Sequence, residues 1–446
     1  MQWLNSAVAQ RARSAGRIEH EDAEPCVDES AKALSYSGVL KGPKSTEGNV
    51  SRQKLVEMTR QAIAHSKQGT TEQTAEVVRI PATDYHDPER FRREVQGIFK
   101  RLPLMLALTA ELKQPGDYKS IDACGVPVLI TRGDDGEARA FVNSCSHRGS
   151  IVVKEGCGHA KRFSCPYHAW TYDNTGKLVA VYAPKDFGEI DRSRHGLTPL
   201  PVAERAGLIW VTLNPASTLD IDAFLCGYDE MLAHFGFEDW HVEAQNQVTG
   251  PNWKIAYDGY LDLYHLPVLH KDSFGPKMPH QALYHAWGPH QGVSAPHPRL
   301  SALEKTPDDQ WSDEVLLGGV WTIFPHVSIA SFNGGGRSVM ISQLFPGNTP
   351  LESITLQTYL MQNEPDEEQR KAARKQFDLL DYVVREEDYA LGLRQQRALQ
   401  SGAKSHVLFG RNEGGGQRFH RWVKRLIDID ADDDDALAKL FAEARS

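Results

Sequence analysis

Short apolar runs separated by tight turns mark the middle of the chain as β-structure. Val126 to Arg132 and Ala138 to Asn143 alternate or run apolar on either side of Gly133-Asp134-Asp135-Gly136, a pattern typical of a β-hairpin. A second hairpin is predicted from Trp170 to Val181, with a turn rich in Asp, Asn and Gly. We therefore predict a β-rich domain over residues 114–214.

The rest of the chain alternates longer apolar strands with helical segments. Strands are predicted at His241 to Thr249, Val320 to Phe332, Arg337 to Phe345 and Ser353 to Gln362. Helices are predicted from Asp87 to Lys100, after Pro251 and after Pro365, and the last of them ends near Gly402. This pattern predicts an α+β fold with an antiparallel sheet covered by helices.

Four segments follow from these patterns. Residues 1–75 are a polar extension without recognisable chemistry, and residues 76–113 are the helical start of the larger domain. The β-rich domain occupies residues 114–214. Residues 215–446 form the rest of the larger domain and include an acidic C-terminal segment.

Composition narrows the classes of protein to which the chain can belong. Its 446 residues are 40% hydrophobic and 24% charged, which is typical of a globular protein with about two or three domains. The net charge of −9, part of it in Asp432 to Asp435, disfavours nucleic acid or an anionic membrane as a partner. No apolar run approaches the roughly 20 residues of a membrane span, and the N-terminus lacks the apolar segment of a signal peptide. We expect a cytoplasmic protein.

Two short motifs carry the most specific chemistry, Cys145-Ser146-His147-Arg148-Gly149 and Cys165-Pro166-Tyr167-His168. Cysteines alone hold an ordinary [2Fe–2S] cluster, whereas Cys-x-His paired with Cys-x-x-His places two thiolates on one iron and two imidazoles on the other, as in a Rieske centre. A structural zinc site is the alternative, but the closely spaced Cys or His pairs of zinc motifs do not occur here. We predict Cys145, His147, Cys165 and His168 as ligands of a Rieske [2Fe–2S] cluster.

A second group of metal-binding residue types lies after Pro251. On a continuous helix, Asp258, Asp262 and His265 would lie within about 60° of arc and point the same way. His270 would lie about 140° from His265, unless Pro267 ends or kinks the helix and turns His270 back. Two histidines alone indicate a metal site no better than they indicate an ordinary core or surface role.

A third ligand is predicted on the long helix that follows Pro365. Asp388 falls on its apolar face, whereas Glu387 falls on the flank and Glu386 on the opposite side. The other predicted members of that face are Phe377, Leu380, Val384, Leu391 and Gln395. A lone carboxylate there loses its solvation unless a cation or a hydrogen-bond network receives it, and a paired buried acid is the alternative to a ligand. With His265 and His270, Asp388 makes the set of two histidines and one carboxylate that is typical of non-heme Fe(II) oxygenases.

A high-potential one-electron centre and an open ferrous site in one chain predict a shared task, the delivery of electrons to iron for the use of O2. No Gly-x-Gly-x-x-Gly motif stands between a strand and a helix, so NAD(P)H would act only through a separate reductase or ferredoxin. The rival class is a Rieske electron-transfer protein without oxygenase activity.

The chain closely resembles the large (α) subunits of Rieske non-heme iron oxygenases, the aromatic-ring-hydroxylating family, from about Glu76 to Gln400. The motifs that carry the resemblance are Pro115-Gly116-Asp117-Tyr118, the two Cys/His motifs, Asn252-Trp253-Lys254, and Asp262-Leu263-Tyr264-His265 with His270. The resemblance implies a Rieske domain inserted in a catalytic domain, and a homotrimer of α subunits, with or without a small β subunit. It also implies that Asp262 bridges His265 on its own chain and the Rieske histidine that matches His168 on a neighbour.

The resemblance implies insertion of one or both atoms of O2 into an aromatic or other hydrophobic substrate. Ring dihydroxylation is favoured over monooxygenation and over O- or N-demethylation. The candidate substrate-pocket residues are Asp258, Leu266, Phe324 and His326. The chain departs from the family pattern at two of them, since Tyr257-Asp258 stands where Glu-Asn is common and Pro325-His326 where Pro-Asn is common.

A histidine-rich segment lies among several prolines. Its histidines are His280, His285, His290 and His297. We predict a mobile loop over the mouth of the active site, with ordinary surface histidines as the alternative.

Overall fold

The computed structural model describes residues 47–430 and 433–445. The first 46 residues of the predicted polar extension lie outside the described residues. Positions 431 and 432, at the acidic run, also lie outside them. From there the chain forms a long helix, α1 (Glu47–Gln68), which buries Leu55 and Met58. Arg52 Nη2 donates a hydrogen bond to the carbonyl oxygen of Trp311 at 2.8 Å. This helix therefore packs on the larger domain.

The strands of the described residues are short in the first half of the chain and longer in the second. They are β1 (Val78–Pro81), β2 (Leu104–Leu108), β3 (Asp117–Ala123), β4 (Val126–Arg132), β5 (Ala138–Val142), β6 (Gly156–His159), β7 (Arg162–Ser164), β8 (Thr171–Asp173), β9 (Leu178–Ala180), β10 (Pro199–Leu200), β11 (Val202–Arg205), β12 (Leu208–Val211), β13 (His241–Gly250), β14 (Leu283–Trp287), β15 (His290–Ser294), β16 (Val320–Ile323), β17 (Val327–Phe332), β18 (Ser338–Pro346), β19 (Ser353–Met361) and β20 (His406–Phe409).

Most α-helices lie in the second half of the chain. After α1 they are α2 (Pro88–Glu94), α3 (Pro184–Phe187), α4 (Ile221–Leu225), α5 (Tyr228–Leu232), α6 (Trp253–Asp258), α7 (Leu266–Leu269), α8 (Asp313–Leu316), α9 (Glu367–Tyr382), α10 (Ala390–Gln400), α11 (Gly414–Ile427) and α12 (Asp434–Arg445). Two π-helical turns extend this set, at Val95–Phe99 after α2 and at Val383–Tyr389 between α9 and α10.

The strands form antiparallel sheets in two groups, which confirms the predicted α+β class. The smaller domain contains a five-stranded sheet in the order β10-β5-β4-β3-β6 and a three-stranded sheet β7-β8-β9. The larger domain contains a seven-stranded sheet in the order β13-β19-β18-β17-β16-β15-β14. The strand β2 precedes the smaller domain in the chain and pairs with β12, which lies at the end of that domain. The smaller all-β domain is therefore inserted in the larger one.

Two predictions about the large sheet were wrong. The apolar stretch from Val320 to Phe332 is two strands, β16 and β17, separated at a cis peptide bond between Phe324 and Pro325. The histidine-rich segment is not a loop over a site, because β14 and β15 pair there as a hairpin and His290 is fully buried. The prolines stand before and after these strands, so they do not interrupt them.

The two faces of the large sheet have different neighbours. On one face Tyr359 packs against Phe377 of α9, and Tyr257 of α6 donates a hydrogen bond to the carbonyl oxygen of Val327 at 3.1 Å. On the other face Gln343 Nε2 donates to the carbonyl oxygen of Met105 in β2 at 2.7 Å. The first face is thus covered by helices. Among the described residues, no helix combines the length and the apolar character that a membrane crossing requires.

Candidate metal centres

The two Cys/His motifs form two loops of the same backbone design. In the first, Cys145 N donates to the carbonyl oxygen of Ser150 at 2.9 Å, and Gly149 N donates back to Cys145 O at 2.8 Å. In the second, Cys165 N donates to the carbonyl oxygen of Trp170 at 2.8 Å, and Ala169 N donates back to Cys165 O at 2.9 Å. Each loop therefore turns its cysteine and the following histidine toward the other loop.

The four predicted cluster ligands lie together at the tips of these loops. Both thiols are buried, and the rings of His147 and His168 lie 4.7 Å apart between centroids. Two thiols and two imidazoles are the donor set of a Rieske cluster, so the site fits that cofactor. The assignment of the individual ligands stays a prediction.

Aromatic side chains fix the orientation of the loops. His147 stacks on Trp170 with 4.9 Å between ring centroids, and Tyr167 stacks on His168 at 3.7 Å. The fully buried hydroxyl of Tyr172 lies 3.2 Å from Cys145 Sγ and accepts a hydrogen bond from Ser146 N at 3.0 Å. A hydroxyl beside a cluster sulfur stabilises the reduced cluster, because reduction adds negative charge there. The sequence motifs gave no sign of this tyrosine.

The predicted iron ligands also meet. One donor atom from each of His265, His270 and Asp388 lies within 4.8 Å of the other two. Asp388 Oδ1 is 3.8 Å from His265 Nε2 and 3.3 Å from His270 Nε2. The set fits a two-histidine, one-carboxylate iron site. Its role as a ligand set stays a prediction.

Each of the two histidines is oriented by a second carboxylate. His265 Nδ1 donates to Asp262 Oδ2 at 3.0 Å, and His270 Nδ1 donates to Glu387 Oε2 at 2.7 Å. Ser273 Oγ donates to the same Glu387 oxygen at 2.9 Å. Both rings therefore direct Nε2 toward Asp388, since a carboxylate on Nδ1 fixes the tautomer of a metal-binding histidine.

The electrostatics of the site favour a positive charge. Burial opposes protonation of His270, but the carboxylates of Asp388 and Glu387 outweigh it and raise the pKa of that ring. A divalent cation bound at Nε2 would satisfy the same carboxylates.

The chain reaches this geometry by a route that the sequence did not predict. α6 ends at Asp258, a 3-10 turn follows, and Asp262 has an extended backbone with φ −134° and ψ 129°. The predicted helical face shared by Asp258, Asp262 and His265 is therefore wrong. Pro267 does not kink a helix either. It stands in the first turn of the short helix α7, and the fixed φ of proline suits that position.

The helix that carries Asp388 also differs from the predicted one. Its start at Asp366 is confirmed, with the side chain of Asp366 accepting from Gln369 N at 2.8 Å, but the π-turn shifts the buried face by one residue. Leu391 and Gln395 were predicted on the face of Asp388 and are exposed. Gly392 and Gln396 are buried in their place.

The predicted pocket residues lie in different surroundings. The Asp258 carboxylate accepts hydrogen bonds from Tyr85 at 3.1 Å and from His420 Nε2 at 3.0 Å, so it belongs to a network with α11. Leu266 is buried at the start of α7, and Phe324 is buried beside the cis peptide bond. His326 is fully buried, neither ring nitrogen has a partner among the described residues, and burial lowers its pKa to about 3. Their contact with substrate stays a prediction.

Sequence reasoning missed three polar residues, one in the 3-10 turn after α6 and two in the large sheet. Tyr260, Ser342 and Gln357 were read as parts of apolar helices and strands, and no spacing rule singles them out. Burial raises the pKa of Tyr260 to about 12, the nearby Ser342 hydroxyl opposes this shift, and the charge of Asp388 adds to it. Tyr260 therefore lies close to both Ser342 and the predicted ligand Asp388.

Comparison with known proteins agrees with this division. The family model of the ring hydroxylating alpha subunit (catalytic domain) matches residues 237–429. The Rieske [2Fe–2S] domain model matches residues 103–192. Both predicted centres lie within the matched ranges.

Individual relatives show the same combination. The glycine betaine monooxygenase oxygenase subunit of Chromohalobacter salexigens is 34% identical over 195 residues, 43% of this chain and 43% of that protein. The anthranilate 1,2-dioxygenase large subunit of Acinetobacter baylyi is 28% identical over 242 residues, 53% of this chain and 51% of that protein. The matched stretches thus span about half the length of these relatives.

A solved structure supports the fold. A quaternary ammonium Rieske monooxygenase in complex with its substrate L-carnitine superposes with a TM-score of 0.65 at 23% identity, covering 79% of this chain and 96% of that one.

Proposed function

We propose, from the premise that this chain belongs to the family of Rieske non-heme iron oxygenase α subunits, that it is the terminal oxygenase of a multicomponent monooxygenase. The observation that carries the proposal is the presence of two donor sets of different chemistry in one chain. When bound, the Rieske cluster supplies a one-electron donor and the ferrous ion supplies an open site for O2 chemistry. A separate reductase or ferredoxin delivers the electrons.

The chain's own residues would prepare the iron site. We assign the metal to His265, His270 and Asp388. Asp262 and Glu387 each hold the Nδ1 proton of one histidine, so both rings keep Nε2 free for the metal. The burial of His270 limits the access of water to one side of the site.

Electron transfer between subunits fits the exposed apolar residues of the chain. Tyr167 and Tyr182 are exposed near the Rieske loops, and Tyr264 and Val268 are exposed near the iron ligands, with 74% of Tyr182 and 72% of Val268 accessible. Large apolar side chains on a surface favour contact with another protein. We propose a homotrimer in which Asp262 lies between the iron site of one subunit and the Rieske site of the next.

The substrate class that we favour is a small quaternary ammonium compound. Two of the relatives act on such compounds by name, and the Tyr260 hydroxyl, which lies near enough to Asp388 to feel its charge, is buried without a hydrogen-bond partner among the described residues, which suits a substrate with polar groups better than a plain arene. Insertion of one oxygen atom into a C–H bond next to the nitrogen would give a product that splits into an aldehyde and an amine. The second oxygen atom leaves as water, with two electrons from the reductase and two protons.

Ring dihydroxylation is the second candidate. The anthranilate 1,2-dioxygenase relative favours it, since its matched stretch covers more of this chain than that of the betaine relative. In that case both oxygen atoms would enter an aromatic ring that carries polar substituents.

A single turnover under 18O2 tests these alternatives. The reduced protein would be freed of reductant and mixed with glycine betaine, L-carnitine, choline and anthranilate, and the products analysed by mass. One heavy atom in an aldehyde supports the proposal, whereas two in a diol support ring dihydroxylation.

The Asp388→Ala variant is the control. It should keep the cluster and lose the product. About two irons per two acid-labile sulfides in the unaltered protein, instead of about three, would contradict the oxygenase and leave an electron-transfer protein.

A further inference from the structure

A row of neutral polar side chains crosses the large sheet on its helix-covered face. Neighbouring strands place these residues directly opposite one another. The row, which we name the polar row, consists of Gln291, Thr322, Ser328, Ser342, Gln357 and Asn246. Residues that face one another across strands lie on the same side of a sheet, so all six point toward the helices.

The face is identified by the neighbours of Gln357 along β19. Thr355 bonds the hydroxyl of Tyr389 at 2.5 Å, and Tyr359 packs against Phe377. Because alternate residues of a strand share a face, Gln357 also lies under the helical layer. Tyr389 is the residue after Asp388, so this layer carries the predicted iron ligand.

The middle of the polar row lacks hydrogen-bond partners. Gln357 is 1% exposed, and neither Nε2 nor Oε1 of its amide has a partner among the described residues. The same holds for the hydroxyl of Ser328, which is also 1% exposed. Buried polar groups are nearly always paired, so an amide with both ends unpaired indicates a ligand or ordered water.

The ends of the polar row are partly paired and so have a structural role. Asn246 Nδ2 donates to Asp381 Oδ1 at 2.7 Å, and Gln291 Nε2 donates to the carbonyl oxygen of Gly415 at 3.2 Å. Each of these two end residues still has one unpaired oxygen, whereas Gln357 is the residue of the row whose amide lacks a partner at both nitrogen and oxygen. Ser342, at the centre, is the residue whose hydroxyl acts on Tyr260 beside Asp388.

The chemistry of the row defines the group that it would bind. An amide and two hydroxyls offer both donors and acceptors, and no Lys or Arg stands in the row. A carboxylate buried here would lose its hydration, and no cation of the row would compensate for that loss. An uncharged hydroxyl can both donate to and accept from these side chains.

We infer that Gln357, with Ser328 and Ser342, binds an uncharged hydroxyl group of the substrate and so sets its position relative to the iron ligands. This inference rests on the proposed function, because it assumes that an oxidisable substrate enters between the sheet and Asp388. Gln357 is thus a specificity-determining residue.

The first test needs no substrate. Gln357→Leu removes the unpaired amide at similar volume, so the thermal midpoint of the holoenzyme should stay the same or rise. Gln343→Leu, on the other face of the same sheet, is the matched control and should lower the midpoint, because it removes the donor to Met105 O. An equal loss in both variants would show that the Gln357 amide is structural, held by ordered water, and would overturn the inference.

The second test uses two probes that differ by one hydroxyl, choline and ethyltrimethylammonium. Calorimetry on the oxygen-free holoenzyme should give at least about tenfold tighter binding of choline, and Gln357→Leu should reduce that ratio to near one. Equal binding of the two probes by the unaltered protein, or absence of binding by both, would overturn the hydroxyl assignment. The iron-to-sulfide ratio and the 18O2 experiment would still decide the proposed function separately.

Discussion

The contact between Glu387 and His270 gives a sharp test of how this chain holds a metal. Glu387 Oε2 is 2.7 Å from His270 Nδ1 and also accepts from Ser273 Oγ, so removing the carboxylate frees one histidine ring without touching a predicted ligand. Glu387→Gln keeps an acceptor but removes the charge, and Glu387→Leu removes both.

The expected magnitude follows from the role of such carboxylates. Replacing a residue that orients a metal-bound histidine weakens metal binding by about 10- to 100-fold, or about 1.4–2.7 kcal/mol. His270 is buried, and Asp388 and Glu387 raise its pKa against the effect of burial. Solvent would therefore poorly replace the negative charge that is lost when Glu387 is substituted. We expect about tenfold weaker Fe(II) binding for Glu387→Gln and about 100-fold for Glu387→Leu.

The assay is competition for Fe(II) with a chromophoric chelator under anaerobic conditions. The visible absorbance of the Rieske cluster serves as an internal control for folding, and Glu386→Gln, at the exposed neighbouring position, is the matched variant. If Glu387→Leu bound Fe(II) within about twofold of Glu386→Gln, the orienting role of Glu387 would be refuted.

Three further predictions concern other parts of the chain. Tyr172→Phe removes the hydroxyl beside Cys145 Sγ and should lower the cluster potential on the order of 40 mV, the equivalent of about 1 kcal/mol, in a redox titration; an unchanged potential would contradict that contact. Asp262→Asn should weaken Fe(II) binding by about tenfold, as for Glu387→Gln, and in protein saturated with Fe(II) it should still slow substrate-dependent cluster oxidation at least about tenfold in stopped flow; an unaltered rate in the Fe(II)-saturated variant would exclude Asp262 from the path. Lys254→Met leaves the buried Glu94 without one cation and should reduce the unfolding free energy by about 3 kcal/mol in urea; Glu94→Gln added to it should restore part of that loss, and no recovery would refute the pairing argument.

Local spacing predicted the two hairpins next to the Cys/His motifs, and the structure contains both, because a hairpin depends on neighbouring residues. Cys145 follows β5, and Cys165 follows β7 and precedes the β8–β9 hairpin, so the ligands depend mostly on turns of a few residues. The matching bonds of Cys145 to Ser150 and of Cys165 to Trp170 are likewise local. The alternation of apolar residues therefore predicted the β4–β5 and β8–β9 hairpins, but not the short strands β6, β7 and β10.

The iron site depends on contacts between distant segments, and there the sequence was less informative. Periodicity assumed an ideal helix from Asn252 onward, but α6 already ends at Asp258, just before Gly259, and the backbone is extended at Asp262. Asp262 still reaches His265, because the short 3-10 turn and the extended residue bring it back to Nδ1. Asp262 thus contacts His265 as predicted, although the shared helical face that suggested this contact is wrong.

The π-turn at Val383–Tyr389 explains how two consecutive acids serve one histidine. In a regular helix each residue turns by about 100°, so adjacent carboxylates point apart and a single ring is reached by one of them. Here Asp388 approaches His270 Nε2 at 3.3 Å while Glu387 binds Nδ1 at 2.7 Å, so the carboxylates hold opposite edges of the ring. An extra residue in the turn also moves Leu391 off the buried face and places Gly392 against Pro251, next to α6. The π-turn thus places Asp388 and Glu387 on the same histidine, which is why an apolar stripe alone singled out Asp388 but not Glu387, the residue that orients His270.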